Sequence, residues 1–382
     1  MNTYDIAIVG AGVFGLSSAI KLAQSGANVV LIEKSKTGRG ASGGILGAIM
    51  PHMPTRWNDK KSYQLSAHFS LPDWISEVEE NTGHNTGYHR TGRVIPVPFD
   101  HMVKHSIERA EASLKIWDTE NTGYAQQYHP KKYHSSWIRA DRCIYGTMSD
   151  NLSARIDPRR YCTALTKMCI QLGVKIIDEC EFISFKQEKI LTRKNGETFN
   201  LAAAQLLLTA GYETFSLLKN MFKINIGLGI KGQGLRFRYN DHAQPQLPFI
   251  LYDDGIYIVP HDDGTVAVGS SSEKNWTEPQ TTDEICEELK KKAINLCPWL
   301  ESRATEIERW GGVRPKCFER EPAIGQIPGY TNIYVSTGGF KISFGICHEI
   351  ADYVSAMMQG KQNSRLSLPI SFELDDHLKK MQ

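Results

Sequence analysis

A glycine-rich turn stands between two apolar segments at the start of the chain. Residues 4–9 form a short apolar run of the kind that makes a buried parallel strand. Gly10, Gly12 and Gly15 follow, and from Leu16 onwards apolar residues recur at helical spacing. Gly10 allows a tight turn, Gly12 lets the backbone approach a pyrophosphate, and Gly15 lets helix and strand pack closely. The pattern therefore predicts a strand, turn and helix that bind a dinucleotide.

A second apolar segment is followed by an acidic residue at the distance from the turn that is typical of dinucleotide-binding folds. Residues 28–32 are strand-like, and Glu33 follows them, 23 residues after Gly10. A carboxylate about 20 residues beyond the first glycine holds a ribose hydroxyl in such folds. An acid here disfavours a 2′-phosphate, so the motif argues against NADP. It leaves the choice between FAD and NAD open.

Composition excludes several classes of protein. The 382 residues suffice for two or three structural units, and 41% hydrophobic with 23% charged residues excludes wholesale disorder. Lys and Arg total 44 against 42 Asp and Glu, so no charge imbalance points to nucleic acid. The longest apolar candidate, residues 201–210, is too short to span a bilayer and contains Gln205. We expect neither a nucleic-acid partner nor an integral membrane segment.

The cysteines and the first residues bear on the cellular compartment. None of the eight cysteines forms a Cys-x-x-Cys pair, so neither a zinc site nor a dithiol site is indicated. A strand-like segment begins within the first five residues, which leaves no room for a signal peptide. We therefore expect reduced, mostly buried thiols in a cytoplasmic protein.

Beyond the second strand, the chain resembles a known family. Residues 39–51, Arg-Gly-Ala-Ser-Gly-Gly-Ile-Leu-Gly-Ala-Ile-Met-Pro, resemble the Gly-Ala-Ser…Gly segment of the D-amino-acid oxidase superfamily of FAD-dependent oxidoreductases. Within it, the chain looks most like glycine oxidase and its amino-acid-oxidising relatives, D-amino-acid dehydrogenase included, and Gly-Phe-Lys341 resembles sarcosine oxidase. Six further resemblances follow in the family's order, at residues 88–94, 155–161, 206–211, 231–234 with 257–264, 310–315 and 338–345.

The resemblance implies FAD as cofactor and a two-domain fold. A Rossmann-like α/β domain would bind FAD, and an antiparallel-sheet domain would bind substrate. The whole protein would be α+β, with the glutathione-reductase-like FAD fold of the D-amino-acid oxidase type. The last helix, expected over residues 347–358, would point its positive N-terminus at the flavin. The implied FAD-binding domain comprises residues 1–85, 150–220 and 325–382, and the substrate domain comprises residues 86–149 and 221–324.

The glycine motif and the resemblance together imply a set of FAD contacts. Most belong to the turn, the second strand end and the glycine-rich segments after it, and the rest to later family motifs. The sequence leaves open whether the protein forms a homo-oligomer. The expected contacts are Gly10, Gly12, Val13, Phe14, Gly15, Glu33, Lys34, Arg39, Ala41, Ser42, Gly47, Phe182, Ala210, Gly211, Gly338, Gly339, Phe340 and Lys341.

Three residues are implied to act on substrate. Arg314, before Pro315, would clamp the substrate carboxylate with its planar fork; a structural ion pair is the alternative. Tyr257 would contact the substrate or serve the core. Lys341 would place a cation near the flavin, favouring its reduction and its reaction with oxygen, or be a plain surface lysine. The family's Thr-Pro-Asp after this arginine is replaced by Cys317-Phe-Glu, which leaves substrate identity open.

Two further features are expected to be structural. Cys317 lies near the expected flavin face but not where some sarcosine oxidases tether FAD, so we expect an inert buried thiol and non-covalent FAD. His101 and His105 have the i,i+4 spacing of metal ligands. No third ligand is near in the sequence, so we expect two surface histidines and no metal.

The implied reaction is oxidation of the Cα–N bond of a small amino acid. Hydride transfer from Cα to flavin N5 gives an imino acid, which water hydrolyses to a 2-oxo acid and ammonia. The sequence offers no obvious general base, and direct hydride transfer from a neutral amine needs none. Oxygen or a quinone would accept the electrons. An FAD-dependent tRNA-modifying enzyme and an idle flavin-bound scaffold are the alternatives.

Overall fold

The computed structural model of the chain describes residues 3–131, 137–240, 249–361 and 367–381. Its helices are α1 (Val13–Gln24), α2 (Asp59–Thr82), α3 (His101–Ile116), α4 (Thr119–Thr122), α5 (Pro158–Gln171), α6 (Glu213–Phe222), α7 (Ile285–Leu296), α8 (Trp299–Arg303), α9 (Ser343–Met358) and α10 (Leu374–Lys379). Its strands are β1 (Thr3–Val9), β2 (Val29–Ile32), β3 (Ala48–Ile49), β4 (Arg93–Pro96), β5 (Gln126–His129), β6 (Thr147–Asp150), β7 (Ala154–Arg155), β8 (Lys175–Ile177), β9 (Cys180–Lys186), β10 (Lys189–Lys194), β11 (Glu197–Leu208), β12 (Gly227–Tyr239), β13 (Ile250–Asp253), β14 (Ile256–Pro260), β15 (Thr265–Gly269), β16 (Ala304–Cys317), β17 (Ala323–Gln326) and β18 (Ile333–Thr337).

The first large sheet carries the predicted dinucleotide unit. Its strand order is β17-β18-β11-β1-β2-β8, and the hairpin β9-β10 pairs with β11. Strands β8, β2, β1, β11 and β18 run parallel, so their carboxyl ends meet at one edge. Helices α1, α2, α5 and α9 share one hydrophobic core with one face of this sheet. The predicted α/β unit is confirmed.

The strand, turn and helix at the start of the chain fold as the glycines predict. Gly10 has φ +104°, and a Cβ there would lie 2.5 Å from Ala210 Cα. A Cβ on Gly15 would lie 1.9 Å from the Gly10 carbonyl oxygen. Only glycine fits both positions, because one needs a left-handed backbone and the other the closest helix–turn approach.

The second large sheet is built from two stretches of the chain. Its order is β16-β12-β15-β14-β13-β4-β6-β5, and its pairs are antiparallel except β13–β4. Helix α7 packs buried residues such as Leu289 and Ala293 into the core beneath one face. A smaller core that includes Ile45 and Val259 lies on the sheet as well. The antiparallel character expected for this part is confirmed.

The last long helix begins earlier than the sequence predicts. It starts at Ser343, one turn before the expected residue 347, and contains Gly345. Taking Gly345 as the boundary was wrong: this glycine is buried in the first turn of the helix, where glycine costs only about 1 kcal/mol relative to alanine. Ser343 and Phe344 thereby become part of the helix N-terminus.

The cysteines have the environment that the sequence predicts. All eight cysteines are buried and none forms a disulfide, as expected. Across residues 3–131, 137–240, 249–361 and 367–381, every helix is too short or too polar to cross a lipid bilayer. A cytoplasmic location stays a prediction.

Candidate active site

A cavity of about 1010 Å³ lies between the two large sheets. Its wall on one side consists of the carboxyl ends of β1, β2, β11 and β18 with the turns that follow them. Strands β12 to β16 of the second sheet contribute the other wall. Ligands of open α/β sheets bind at the carboxyl ends of the strands, so this cavity is the candidate site.

Helix α1 opens onto the cavity with its N-terminus. Its N-cap residue, Gly12, has no side chain that could accept the first amides of the helix. The Val13 amide instead donates to Ser42 Oγ at 2.9 Å, which holds the segment after β2 against the helix. The positive end of the helix dipole and the remaining first-turn amides therefore face a space where an anion can bind.

Glu33 is fixed beside this helix end by backbone and side-chain donors. Its Oε2 accepts the Ala11 amide at 2.8 Å, and its Oε1 accepts the Ser35 amide at 2.8 Å and hydroxyl at 2.9 Å. These bonds fix the Glu33 side chain at the end of β2, where the sequence predicts a ribose contact. The neighbouring Lys34 pairs with Glu213 at 3.2 Å in an exposed position.

The cavity brings together nearly all of the residues predicted from the sequence. Gly15 is the exception: it does not line the cavity but packs beneath the Gly10 carbonyl, so we correct its assignment from ligand contact to support of the turn. The predicted residues on the wall are Gly10, Gly12, Val13, Phe14, Glu33, Lys34, Arg39, Ala41, Ser42, Gly47, Phe182, Ala210, Gly211, Tyr257, Arg314, Gly338, Gly339, Phe340 and Lys341.

Arg314 extends from β16 and is held by neutral groups. Its Nη1 donates to Ser270 Oγ at 2.9 Å, and its Nη2 donates to the Ser271 carbonyl at 2.7 Å. Its Nε is buried and has no hydrogen-bond partner in the described part of the chain. Burial lowers the pKa of Arg314, which shows that its charge is poorly solvated. A carboxylate entering the cavity would satisfy this cation.

Gly232 on β12 makes room for the arginine fork. Its register partner across the strands is Gly312, and Arg314 pairs with Ile230 two residues further along. A Cβ on Gly232 would lie 2.3 Å from Arg314 Nη2. The sequence analysis missed this residue, although Gly232 lies within a segment that resembles the family.

Tyr257 and Lys341 lie together on the cavity wall. Lys341 Nζ is 5.8 Å from the Tyr257 ring centroid and 5.9 Å from the Phe340 ring centroid. Burial, followed by the Tyr252 phenol, raises the pKa of Tyr257 to about 12, so its hydroxyl stays protonated and can donate a hydrogen bond. The Tyr252 ring lies 4.8 Å from the Tyr257 ring. Both residues line the cavity, although Lys341 is exposed and Tyr257 also packs against the small core that includes Ile45, so their roles toward a substrate stay predictions.

His52 is a cavity residue that the sequence analysis missed. Its Nε2 is buried without a partner in the described part of the chain, and its backbone amide donates to Gln64 Oε1 at 3.0 Å. Burial and then the nearby Lys60 lower the pKa of His52 to about 4. The imidazole is therefore neutral at pH 7, and its Nε2 can form a hydrogen bond with a ligand. No motif marks it, because only the fold brings it to the wall.

Cys317 and the histidine pair lie outside the cavity wall. Cys317 is buried, and burial raises the pKa of its thiol to about 12, which makes it unreactive. Its sulfur lies against Gly338, where a Cβ would be 2.4 Å away. His101 and His105 are exposed on α3, and His105 Nδ1 contacts Glu108 at 3.2 Å. Both features match their structural interpretation.

The residues on the first-sheet wall fit FAD. An uncapped helix end suits a pyrophosphate, and the fixed Glu33 carboxylate suits a ribose. Gly47 also lines this wall, and only glycine fits there, since a Cβ would lie 1.8 Å from the Ile156 carbonyl oxygen. The cavity continues past this wall to Arg314, so one ligand can reach from the turn to the second sheet.

Comparison with known proteins agrees with this geometry. Glycine oxidase of Pseudomonas putida KT2440 is 26% identical over 341 residues, 88% of this chain and 89% of that protein. Glycine oxidase of Pseudomonas aeruginosa PAO1 is 25% identical over 365 residues, 92% and 94% of the two chains. The crystal structure of glycine oxidase from Geobacillus kaustophilus has the same fold, with a TM-score of 0.84 at 19% identity over 98% of this chain and 99% of that one.

The match to a family model covers most of the chain. The model of FAD dependent oxidoreductases, the DAO family, matches residues 5–353. That stretch includes both large sheets and the whole wall of the cavity. The glycine turn, Glu33 and the cavity all lie within the matched residues and are arranged as in a flavin-binding protein. The chain belongs to the FAD-dependent oxidoreductase family.

Proposed function

We propose that this protein oxidises the Cα–N bond of a small amino acid, such as glycine, sarcosine or a D-amino acid. The observation that carries the proposal is Arg314, a poorly solvated guanidinium on the cavity wall whose own hydrogen bonds go only to neutral groups. An amino acid supplies the carboxylate that such a fork binds with two parallel hydrogen bonds. The names of the glycine oxidase relatives support the same class of substrate.

The cavity residues divide the work of binding and orientation. Arg314 holds the carboxylate and so fixes the direction of the Cα–H bond. The protonated Tyr257 hydroxyl donates to the same carboxylate or to the amine, and Lys341 adds positive charge beside it. Bound FAD supplies a two-electron acceptor for the hydride that leaves Cα.

The remaining steps need only water and an external oxidant. When hydride leaves Cα and the nitrogen loses a proton, an imino acid remains. Water then adds to the carbon–nitrogen double bond and expels ammonia, or methylamine when the substrate is sarcosine, which leaves a 2-oxo acid. Oxygen or a quinone takes up the two electrons; the cation of Lys341 favours oxygen.

We also propose a division of labour between two domains. Residues 1–85, 150–220 and 325–382 would bind FAD, and residues 86–149 and 221–324 would bind substrate. The strands of the first large sheet come almost entirely from the former set, and those of the second come from the latter. The boundary near residue 325 cuts β17, so that strand would be shared.

Anaerobic reduction of the holoenzyme tests the proposal. Glycine, sarcosine and D- and L-amino acids are mixed with the FAD-loaded protein, with glycolate and methylamine as controls that lack the amine or the carboxylate. We expect at least one amino acid to bleach the flavin and neither control to do so. Readmitted air or a quinone analogue then identifies the acceptor. Bleaching by methylamine but by no amino acid would contradict the proposal.

A further inference from the structure

Three cations surround one aromatic ring on the cavity wall. Arg314 Cζ lies 5.5 Å from the Phe340 ring centroid, Lys316 Nζ lies 5.6 Å from it and Lys341 Nζ lies 5.9 Å from it. We call these three residues the cation cluster. An aromatic ring attracts a cation only weakly, so the ring does not offset the mutual repulsion of three.

No carboxylate of the described residues neutralises the cation cluster by direct contact. Arg314 bonds to Ser270 and to backbone carbonyls, and neither lysine belongs to an ion pair in that part of the chain. Glu273 affects Arg314 from further away, but it is one carboxylate against three cations. The cluster therefore has a surplus of positive charge.

The acids that line the cavity lie elsewhere and are already engaged. Glu33 holds the Ala11 amide, Glu213 pairs with Lys34, and Glu181 pairs with Arg193 at 2.5 Å. All three belong to the wall that fits FAD, next to the carboxyl ends of the parallel strands. The wall around Phe340 thus combines surplus positive charge with no competing acid among the described lining residues.

Both lysines lie among other positive charges, and those that act on Lys341 belong to the cation cluster itself. Burial lowers the pKa of Lys341, and the charges of Arg314 and Lys316 lower it further. Burial also lowers the pKa of Lys316, with contributions from Arg320 and Lys274. Within the cluster it is therefore Lys341 that its neighbours destabilise, and a single substrate carboxylate on Arg314 would leave the charge of Lys341 on the wall without a partner.

We infer that the preferred substrate is an amino dicarboxylate, with its α-carboxylate on Arg314 and its second carboxylate on Lys341, and with Lys316 adding positive charge behind. The inference rests on the proposed function and narrows its substrate class. It also assigns Lys341 first to the substrate and not to the flavin. The dianion would offset the surplus charge that a monocarboxylate leaves.

Ligands that cannot be oxidised test the second carboxylate separately from turnover. The oxidised holoenzyme is titrated with succinate and with butyrate, which share a carbon count but carry two and one carboxylates, and the visible flavin spectrum reports binding. We expect succinate to bind at least about tenfold more tightly, as one extra partly desolvated charge pair should give. Added salt should reduce the preference.

Variants identify the residue responsible. Lys341→Met should bring the succinate-to-butyrate ratio within about threefold of one, Lys316→Met should reduce it less, and Lys341→Arg should retain it because the charge remains. Lys104→Met, on the exposed face of α3, removes the same charge far from the ring and should leave the ratio unchanged. FAD content confirms that each variant is folded.

Each outcome separates this inference from the proposed function. Equal binding of succinate and butyrate by the parent, or an unchanged ratio in Lys341→Met, would overturn the second carboxylate site even if glycine bleaches the flavin. A succinate preference that Lys341→Met abolishes, in a protein that no amino acid reduces, would support the anion site and overturn the proposed reaction. With both intact, aspartate should reduce the flavin with a lower KM than alanine of the same configuration.

Discussion

The two walls of the cavity recognise their ligands by different means. The first-sheet wall presents backbone: a helix end without a capping side chain, a glycine turn, and the Ala11 amide that fixes Glu33. The second-sheet wall presents side chains, above all Arg314 and Tyr257, joined by Lys341 from the loop after β18. The first wall is assembled from the ends of β1, β2, β11 and β18, whereas the strands of the second wall, β12 to β16, follow one another along the chain.

This difference explains how a family can keep its cofactor and change its substrate. A backbone that must approach a phosphate or another strand tolerates only glycine, so positions such as Gly10 cannot vary without loss of the turn. Side chains on a strand can be exchanged while the strand pairing stays intact. The Cys317-Phe-Glu segment, where the resemblance expects Thr-Pro-Asp, ends the very strand that carries Arg314.

The largest expected effect comes from removing the fork on the second-sheet wall. Arg314→Met should lower kcat/KM for the best amino acid by roughly 30- to several-thousand-fold, since it removes one partner of a buried charged pair. FAD content and the flavin spectrum should stay nearly the same, because the proposed partner of Arg314 is the substrate and not FAD. Arg314→Lys should lose orientation as well as affinity. Steady-state kinetics within threefold of the parent would contradict the carboxylate clamp.

Glu33→Arg should weaken FAD binding, whereas Arg314→Met should leave it nearly unchanged. It removes the acceptor of the Ala11 amide and puts a cation beside the helix end, so FAD affinity should fall about hundredfold and the protein should purify largely colourless. Glu33→Gln keeps the shape and should lose less. Absorbance of the purified protein and FAD titration of the apoprotein measure both. A variant that carries a full complement of FAD would break the assignment of this wall.

Gly232→Ala tests whether the two walls act separately, because Gly232 makes room for the Arg314 side chain and not for a cofactor. Its Cβ would overlap Arg314 Nη2, the far end of a flexible side chain, so the fork should shift while the strands stay paired. We expect kcat/KM to fall about tenfold with FAD binding unchanged. Thermal melting verifies the fold. Loss of FAD in this variant would show that the two walls are not separable.

The smallest effect is expected from Cys317→Ala, which lies at the end of β16 against Gly338. The thiol is buried with a raised pKa, so we expect no bond to FAD and kinetics within about twofold of the parent. Acid precipitation should release all of the flavin from both proteins. Colour that stays in the parent pellet but not in the Cys317→Ala pellet would show a cysteinyl link.

The sequence by itself determined the first strand, turn and helix and the acid that follows. Their signals are local: apolar periodicity sets the elements, and the contacts of Gly10 and Gly15 allow no other residue. The resemblance extended this to further residues, and all of those it implies line the cavity apart from Gly15, which packs beneath the Gly10 carbonyl. The start of α9 was misplaced because a glycine was taken as the boundary, whereas Gly345 lies buried in the first turn of the helix.

Only the tertiary structure decided how the second wall is assembled. Arg314 receives its space from Gly232, its hydrogen bonds from Ser270 and Ser271, and its neighbouring charge from Lys341. His52 likewise reaches the wall only through the fold. Burial and charge surplus are properties of groups brought together across long stretches of chain, and local periodicity carries no record of which side chains will share one desolvated space.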